Sequence, residues 1–206
     1  MSYKWLEWSN RLQAIAQAGL TFATDPFDRE RYAELRKISV EIMAEYSQTE
    51  MSRVSQLFAN ETGYPTPKVD IRGVVFQNGK ILMVKEKSDG AWALPGGYAD
   101  IGYSPGEIAV KEVKEETGFE VVPTKLLAVL DMRRHTQLPQ PYHFYKIFIQ
   151  CHITGGHAAS DDMETSDVGF FAEEELPRLS ERRNTEAQIH LLFEYLKDPG
   201  KVCTFD

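Results

Sequence analysis

The 206-residue chain is long enough for one ordinary domain with a small companion, and it is too short for three domains. Hydrophobic residues make up 42% of the chain and charged residues 26%, which excludes a disordered or collagen-like protein. Acidic residues outnumber basic ones by 31 to 23, and the net charge of −8 disfavours long-range capture of nucleic acid. A polyanionic ligand would therefore need a metal ion or a local basic cluster.

Two further features predict where the protein works. The longest aliphatic stretch, residues 126–130, is far below the ~20 residues that span a bilayer, and the opening residues lack the apolar region of a signal peptide. Cys151 and Cys203 are far apart and form no CxxC pair, so we interpret them as reduced thiols. We expect a cytoplasmic protein that does not contact a membrane.

Residues 1–62 are predicted to form a small N-terminal helical domain. Apolar residues recur there at three- and four-residue steps in three segments, with a break at residues 24–26. Three such helices make a small core, so we expect them to pack on the rest of the chain or on a second copy. Dimerisation or covering of the substrate is the hypothesised role. The apolar positions are Trp5, Trp8, Leu12 and Ile15, then Tyr32, Leu35, Ile38, Ile42 and Tyr46, then Met51, Val54, Leu57 and Phe58.

Residues 63–67 are the predicted linker, because two prolines in five residues exclude a helix and favour an extended connector. Residues 68–206 then change to a mixed α/β pattern. Strands are predicted over 69–76 and 81–85 with a hairpin turn at Asn78 and Gly79, and a helix is predicted near the C-terminus. Two more strands are expected, over 125–131 and 142–153, the latter with one core face and one partly wet face.

Another helix is predicted over 105–117. Ser104 is a suitable N-cap, Pro105 suits the first helical position, and Glu107 can close a capping box with Ser104. Gly118 ends the helix, because glycine readily adopts the left-handed conformation that follows a last turn.

Three acids share one face of that helix. Glu112, Glu115 and Glu116 lie at i, i+3 and i+4, where like charges repel by a few tenths of a kcal/mol per pair unless a cation binds them. A helix rich in lysine and glutamate is more often only a solvated face. The preceding Pro-Gly-Gly turn favours a metal site, because glycine lets a carbonyl approach a cation and oxygen ligands suit Mg²⁺ or Mn²⁺.

Residues 97–119 resemble the Nudix box, a pattern of Gly, five residues, Glu, seven residues, then Arg-Glu-apolar-x-Glu-Glu-x-Gly-apolar. Tyr103 stands where the pattern has Glu, and Lys111 stands where it has Arg, which keeps the charge but loses the bidentate fork. Residues 92–97 resemble the segment that precedes the box in this family, and residues 167–171 and 175–177 resemble a later strand and loop of the family. The matching positions are Gly97, Glu112, Val113, Glu115, Glu116, Gly118 and Phe119.

The resemblance implies a Nudix α/β/α sandwich with a mixed sheet, preceded by the helical domain. It also implies a pyrophosphohydrolase that cleaves X-linked nucleoside diphosphates with Mg²⁺ or Mn²⁺. The implied catalytic and metal-binding acids are Glu112, Glu115 and Glu116, with the Gly96 carbonyl as a possible further metal ligand. Glu164 matches a loop position where some members carry an acid that binds metal or activates water; an exposed acidic turn is the other interpretation.

Three residues are candidates for binding the substrate. Arg133 and Arg134 could form a phosphate clamp, because arginine matches phosphate in a fork geometry, although a solvated arginine pair is equally compatible. Tyr103 is the third candidate. Over the whole chain the sequence is similar to bacterial Nudix enzymes that carry an N-terminal helical domain, which implies a homodimer.

That subgroup includes CDP-choline pyrophosphatases and ADP-ribose pyrophosphatases, and CDP-choline, giving CMP and phosphocholine, is the first expectation. ADP-ribose is the alternative small substrate. An RNA 3′–5′ exonuclease or RNA-end processing enzyme could use the same metal site. A catalytically inactive nucleotide-sensing module is the last alternative.

Overall fold

The structure is a computed structural model that describes residues 3–48, 50–136, 138, 140–159 and 164–206. The chain divides into two compact units. The helical unit comprises Met1–Pro67 and Pro139–His143, and the α/β unit comprises Lys68–Leu138 and Phe144–Asp206. Across the described ranges, no helix is both long enough and apolar enough to cross a membrane.

The helical unit contains α1 (Lys4–Phe22), α2 (Pro26–Ser47) and α3 (Met51–Phe58). At the start of α2, the Asp25 side chain accepts hydrogen bonds from the backbone N–H groups of Phe27 and Asp28, and Pro26 occupies the first turn. The predicted break at residues 24–26 is therefore a capped helix start. Residues 140–143 belong to this unit, and the Tyr142 hydroxyl donates a hydrogen bond to the Leu57 carbonyl.

The face of α1 that is buried within the helical unit is not the one that carries most of its large apolar side chains. Trp8 is 55% exposed and Ile15 is 53% exposed, so the apolar stripe of α1 lies largely at the surface. The inward face carries both polar and apolar side chains, and the Ser9 hydroxyl donates to the Ser39 carbonyl at 2.7 Å. Periodicity identifies which face of a helix is apolar and not what covers it, so the expectation that this face packs on the rest of the chain or on a second copy stays a prediction. The small buried cluster consists of Leu6, Val40, Met43, Ala44, Val54, Phe58 and Ala59.

The α/β unit is built on a mixed sheet. Its strands are β1 (Lys68–Gln77), β2 (Lys80–Glu86), β3 (Trp92–Ala93), β4 (Gly96–Tyr98), β5 (Phe119–Asp131), β6 (Phe144–Gly156), β7 (Thr165–Phe171) and β8 (Thr204–Phe205). The strand order is β3-β2-β1-β6-β5-β8, and β4 also pairs with β1 and β7 with β2. Strand β1 is antiparallel to β2 and β4 and parallel to β6.

Helices cover both faces of this sheet. They are α4 (Pro105–Thr117), α5 (Met132–His135) and α6 (Glu186–Lys197), with a 3₁₀ turn at Glu173–Glu175. Ile108 and Val113 of α4 pack with Ile71, whereas Ile189 and Phe193 of α6 belong to a second buried cluster. This layering is the α/β/α sandwich that the sequence predicted.

Strand β6 differs from its prediction. Cys151 is buried on the α4 side, but Phe148 on the other side is also fully buried, in the cluster that includes α6. The expected partly wet face is therefore covered at Lys146 and Phe148, and it is wet only further along the strand, where His152 is exposed. Alternation alone could not show this, because a central strand between two helical layers is buried on both faces.

Several local predictions are confirmed. The β1–β2 hairpin pairs Gln77 with Lys80, and both turn residues have positive φ, 52° at Asn78 and 77° at Gly79. The Ser104 capping box is present, and Gly118 ends α4 in the left-handed conformation. Strand β5 begins earlier than predicted, at Phe119, because Pro123 lies at a shift in the pairing register, where a missing donor is tolerated.

Candidate active site

A close turn at residues 94–97, the glycine turn, leads from β3 into β4 and lies against β1. The Gly73 amide donates to the Pro95 carbonyl at 2.9 Å, and Arg72 pairs with Gly96 across the β1–β4 ladder. A β-carbon on Gly96 would lie 2.0 Å from the Ile71 carbonyl oxygen, and Gly96 has a φ of 144°. Only glycine fits this position.

Helix α4 packs closely on β1 and brings its acids to the glycine turn. A β-carbon on Gly73 would meet a methyl group of Val113 at 2.4 Å, so the absence of a side chain on β1 lets α4 approach. Ile108 and Val113 are fully buried in this contact. Of the three glutamates on α4, Glu116 is buried, Glu112 is largely buried and only Glu115 is exposed.

Glu116 is the most buried of the three acids, with 6% of its surface exposed. Its Oε2 accepts a hydrogen bond from the Gly96 amide at 3.0 Å. Burial raises the pKa of Glu116 to about 8, although Arg72 and the Gly96 hydrogen bond lower it. The carboxylate is thus fixed against the glycine turn in surroundings that disfavour its charge.

Glu112 lies one helical turn earlier and faces the same turn. A β-carbon on Gly97 would lie 3.1 Å from Glu112 Oε2, so the carboxylate rests on the Gly97 backbone. Burial raises the pKa of Glu112 above its ordinary value, and Lys111 counteracts this. Two partly desolvated carboxylates, Glu112 and Glu116, therefore flank consecutive glycines.

Glu115 is placed differently, because its side chain is 56% exposed. The Lys111 ammonium lies 3.8 Å from Glu115, 3.6 Å from Glu112 and 2.9 Å from Asp100. Its hydrogen bond to Asp100 raises the pKa of Lys111. Lys111 thus connects α4 to the loop before it. A single ammonium group can make this connection without the bidentate geometry of an arginine.

The chemistry of these donors fits a hard divalent cation. Glu112 and Glu116 offer only oxygen, and they lie beside a backbone without side chains. A bound cation would offset the burial that disfavours their negative charge. No group of three His, Cys, Asp or Glu side chains with metal-binding geometry occurs among the residues that the structure describes. The candidate metal site is thus centred on two carboxylates, those of Glu112 and Glu116.

The remaining predicted residues lie outside this pair. Glu164 is exposed just before β7, and its carbonyl accepts from the Lys87 amide at 2.9 Å; residues 160–163 before it lie outside the described residues. Tyr103 is exposed between β4 and α4. Arg133 and Arg134 are exposed on the single turn of α5. Their roles remain predictions.

Sequence analysis missed a buried ionic cluster beside the glycine turn, formed by Asp70, Arg72 and Lys146. Arg72 is fully buried, and its Nε and Nη2 donate to the two carboxylate oxygens of Asp70 at 2.7 and 3.0 Å. The Lys146 ammonium lies 3.9 Å from Asp70 and donates to the Arg183 carbonyl. The available signal was charge within apolar strands, since such residues are rarely fully buried unless paired.

The cluster is tightly coupled. Burial lowers the pKa of Lys146 to about 7, although Asp70 raises it. Burial also works to raise the pKa of Asp70, but Arg72 and Lys146 hold it below its ordinary value. Asp70 and Arg72 therefore form a charged pair inside the protein.

Comparisons with known proteins cover the chain from end to end. Residues 3–58 match a family model described as a UDP-X-like, N-terminal oligomerisation domain, and residues 66–193 match the model of the NUDIX domain. The putative ADP-ribose pyrophosphatase YjhB of Bacillus subtilis (strain 168) is 52% identical over 203 residues, which are 98% of this chain and 97% of that protein.

Two solved structures are also similar. The crystal structure of a UDP-X diphosphatase has a TM-score of 0.64 and 36% identity, with 98% of each chain covered. An ADP-ribose pyrophosphatase from Streptococcus suis 89-1591 has a TM-score of 0.63 and 38% identity, covering 68% of this chain and 100% of that one. The first similarity includes both units of the chain.

Proposed function

Because the chain belongs to the Nudix hydrolase family, we propose that it is a metal-dependent pyrophosphohydrolase of X-linked nucleoside diphosphates. Water would add across the P–O–P bridge and release a nucleoside monophosphate and the phosphate ester of X. The observation that carries the proposal is the pair of partly buried carboxylates, Glu112 and Glu116, which lie against adjacent glycines of the glycine turn. Nudix hydrolases generally use divalent cations, and this pair supplies the donors that such a cation needs.

Each residue of the site has a role that follows from its surroundings. Glu112 and Glu116 would hold the cation, and the more exposed Glu115 could reach it or a water molecule. When bound, Mg²⁺ or Mn²⁺ neutralises charge on the pyrophosphate and lowers the pKa of a water. The Gly96 amide fixes one oxygen of Glu116 and leaves the other free to accept. Arg133 and Arg134 are exposed and could pair with phosphate.

ADP-ribose is the substrate that we propose to test first. The relative with 52% identity is named a putative ADP-ribose pyrophosphatase, and a solved structure of matching length is named a UDP-X diphosphatase. CDP-choline has the same nucleoside–diphosphate–X chemistry, but neither name mentions it. These names support a small nucleotide rather than RNA, in agreement with the net charge of −8.

Product analysis would test the function. The protein is incubated with ADP-ribose, a UDP-linked sugar, CDP-choline or a short RNA, with and without Mg²⁺ or Mn²⁺, and the products are separated by chromatography. We expect metal-dependent release of a nucleoside monophosphate from the first three kinds of compound, and loss of that release in Glu116→Gln. Turnover of RNA alone would support the exonuclease alternative, and binding without turnover would support a sensing module.

We further propose that the helical unit joins two copies of the chain. Trp8, Ile15 and Phe22 recur at seven-residue steps on α1, and all three are more than half exposed. A stripe of this size on one helix is typical of a helix–helix interface. The match of residues 3–58 to an oligomerisation domain supports this proposal. Covering of the substrate by the same unit remains a hypothesis.

A further inference from the structure

We propose that Arg72 is a positioning residue for Glu116, and that it acts through the backbone of the glycine turn. This inference rests on the proposed function, because it assigns Glu116 to the metal site. Arg72 is fully buried on β1, so it cannot reach a substrate in solvent. Its contribution to the reaction would have to pass through the groups that it holds.

The first step is the fixing of Arg72 itself. Both carboxylate oxygens of Asp70 accept from its guanidinium, at 2.7 and 3.0 Å, which leaves Nη1 directed at the Leu94 carbonyl, 2.9 Å away. A guanidinium donates from nitrogens in fixed directions. Once Asp70 holds two of these nitrogens, the direction of the third bond is determined as well.

The second step is the fixing of the glycine turn. The Leu94 carbonyl accepts from Arg72, and the Leu94 amide donates to Asn184 Oδ1 at 3.0 Å. The next carbonyl, of Pro95, accepts from the Gly73 amide at 2.9 Å. Residues 94 and 95 are thus held from both sides by buried groups, and the orientation of the following Gly96 amide is set.

The third step connects the turn to the acid. The Gly96 amide donates to Glu116 Oε2 at 3.0 Å, so the direction of this N–H bond sets the orientation of the carboxylate. A carboxylate that ligates a cation binds best when its oxygens are held in place beforehand. Two hydrogen bonds, joined by the backbone from Leu94 to Gly96, therefore connect Arg72 to the carboxylate that would hold the cation.

Arg72 is also a positive charge close to Glu116, so the test must separate geometry from charge. Arg72→Lys does this, because lysine keeps the charge but cannot bind both Asp70 oxygens and the Leu94 carbonyl from fixed directions. Arg183→Lys is the matched control. Arg183 pairs with the buried Glu86 at 3.4 Å, and the same substitution there leaves the bond to Leu94 untouched.

The experiment measures two properties of the full-length protein. Mn²⁺ binding is followed by electron paramagnetic resonance without substrate, and kcat and KM are measured with the nucleotide that the wild type hydrolyses best. For Arg72→Lys we expect weaker Mn²⁺ binding and a lower kcat, each by roughly 10–100-fold, with little change in KM. Arg183→Lys should match the wild type in Mn²⁺ binding, kcat and KM.

Two outcomes would overturn the inference. One is a folded Arg72→Lys that binds Mn²⁺ and turns over substrate like the wild type. The other is an equal loss in Arg183→Lys, which would assign the effect to a general disturbance of the region and not to the bond between Arg72 and Leu94. If Arg72→Lys does not fold, Asp70→Asn is the second variant, because asparagine offers Arg72 one acceptor oxygen in place of two. Unchanged Mn²⁺ binding by Asp70→Asn would also contradict the positioning role of Arg72.

The Mn²⁺ measurement also separates this inference from the proposed function. A wild type that binds Mn²⁺ but hydrolyses no nucleotide would contradict the proposed function. In that case weaker Mn²⁺ binding by Arg72→Lys, with normal binding by Arg183→Lys, would still support the positioning role.

Discussion

The two units of this protein differ in how completely they bury their large apolar side chains. The α/β unit buries aliphatic and aromatic residues such as Phe148, and its buried ionic cluster lies beside the candidate active site. The helical unit buries Ser9 and Gln13, while Trp8 and Phe22 are mostly exposed. The difference indicates that the α/β unit completes its own core, whereas the helical unit presents apolar surface that another molecule would cover.

The largest expected effect is on activity in the α/β unit. Glu116→Gln removes the charge of a proposed metal ligand, so we expect turnover of the best nucleotide to fall by roughly 100-fold or more. Chromatographic product assays with Mg²⁺ or Mn²⁺ would measure this. Glu120→Gln, which alters an exposed acid paired with Lys114 outside the site, is the control. Near-normal activity of Glu116→Gln would show that the metal assignment is wrong.

The same substitution should not destabilise the metal-free protein. Burial raises the pKa of Glu116 from 4.5 to about 8, so the folded state binds a proton more tightly than the unfolded state does. This contribution to stability is complete below about pH 4.5 and is lost as the pH rises through 8. Glutamine cannot ionise, so thermal unfolding above pH 8 should show a variant at least as stable as the wild type.

The second prediction compares the replacement of a buried phenylalanine by alanine in the core of each unit. Phe148→Ala should cost about 3–5 kcal/mol of unfolding free energy, because the side chain is fully buried between dense layers. Phe58→Ala should cost less, since Phe58 belongs to the small cluster of the helical unit, where neighbours can relax into the space. Urea unfolding followed by circular dichroism would measure both. Equal losses would break the contrast between the units.

The third prediction concerns the exposed apolar stripe of the helical unit. Trp8→Glu combined with Ile15→Glu should reduce the molar mass in light-scattering chromatography from that of two chains to that of one, because charges would be buried in the interface. Val202→Glu makes the same kind of change at an exposed apolar residue of the α/β unit and should leave the mass unchanged. A wild type that is already monomeric would contradict the proposed dimer.

Much of the fold follows from local sequence signals. The capping box at Ser104, the left-handed Gly118 and the Asn78 and Gly79 hairpin turn were all predictable, because each depends on a few neighbouring residues. The shared face of the three acids on α4 follows from helical periodicity in the same way. The roles of these acids rest on the resemblance to the Nudix box and remain predictions.

The features that sequence analysis missed depend on contacts between distant residues. Arg72 is held by Asp70, two residues away, but it acts on Leu94, 22 residues later. The apolar stripe of α1 was recognised, yet its exposure depends on what α2 covers. The short strands β3, β4 and β8 have too few residues for periodicity, and they exist because a longer strand pairs with them.

The smallest expected effect is a pH dependence that arises in the buried ionic cluster. Burial lowers the pKa of Lys146 from 10.5 to about 7 in the folded protein. Between these values the unfolded chain binds more protons than the folded one, so this group makes stability rise with pH. Lys146→Met removes this titration. The variant also loses the contact with Asp70, which changes its free energy of unfolding by an amount that is nearly constant above pH 7, because Asp70 stays charged there. Urea unfolding of both proteins from pH 7 upward should therefore show a stability difference that grows in favour of the wild type; parallel curves would mean that Lys146 stays charged in the folded state.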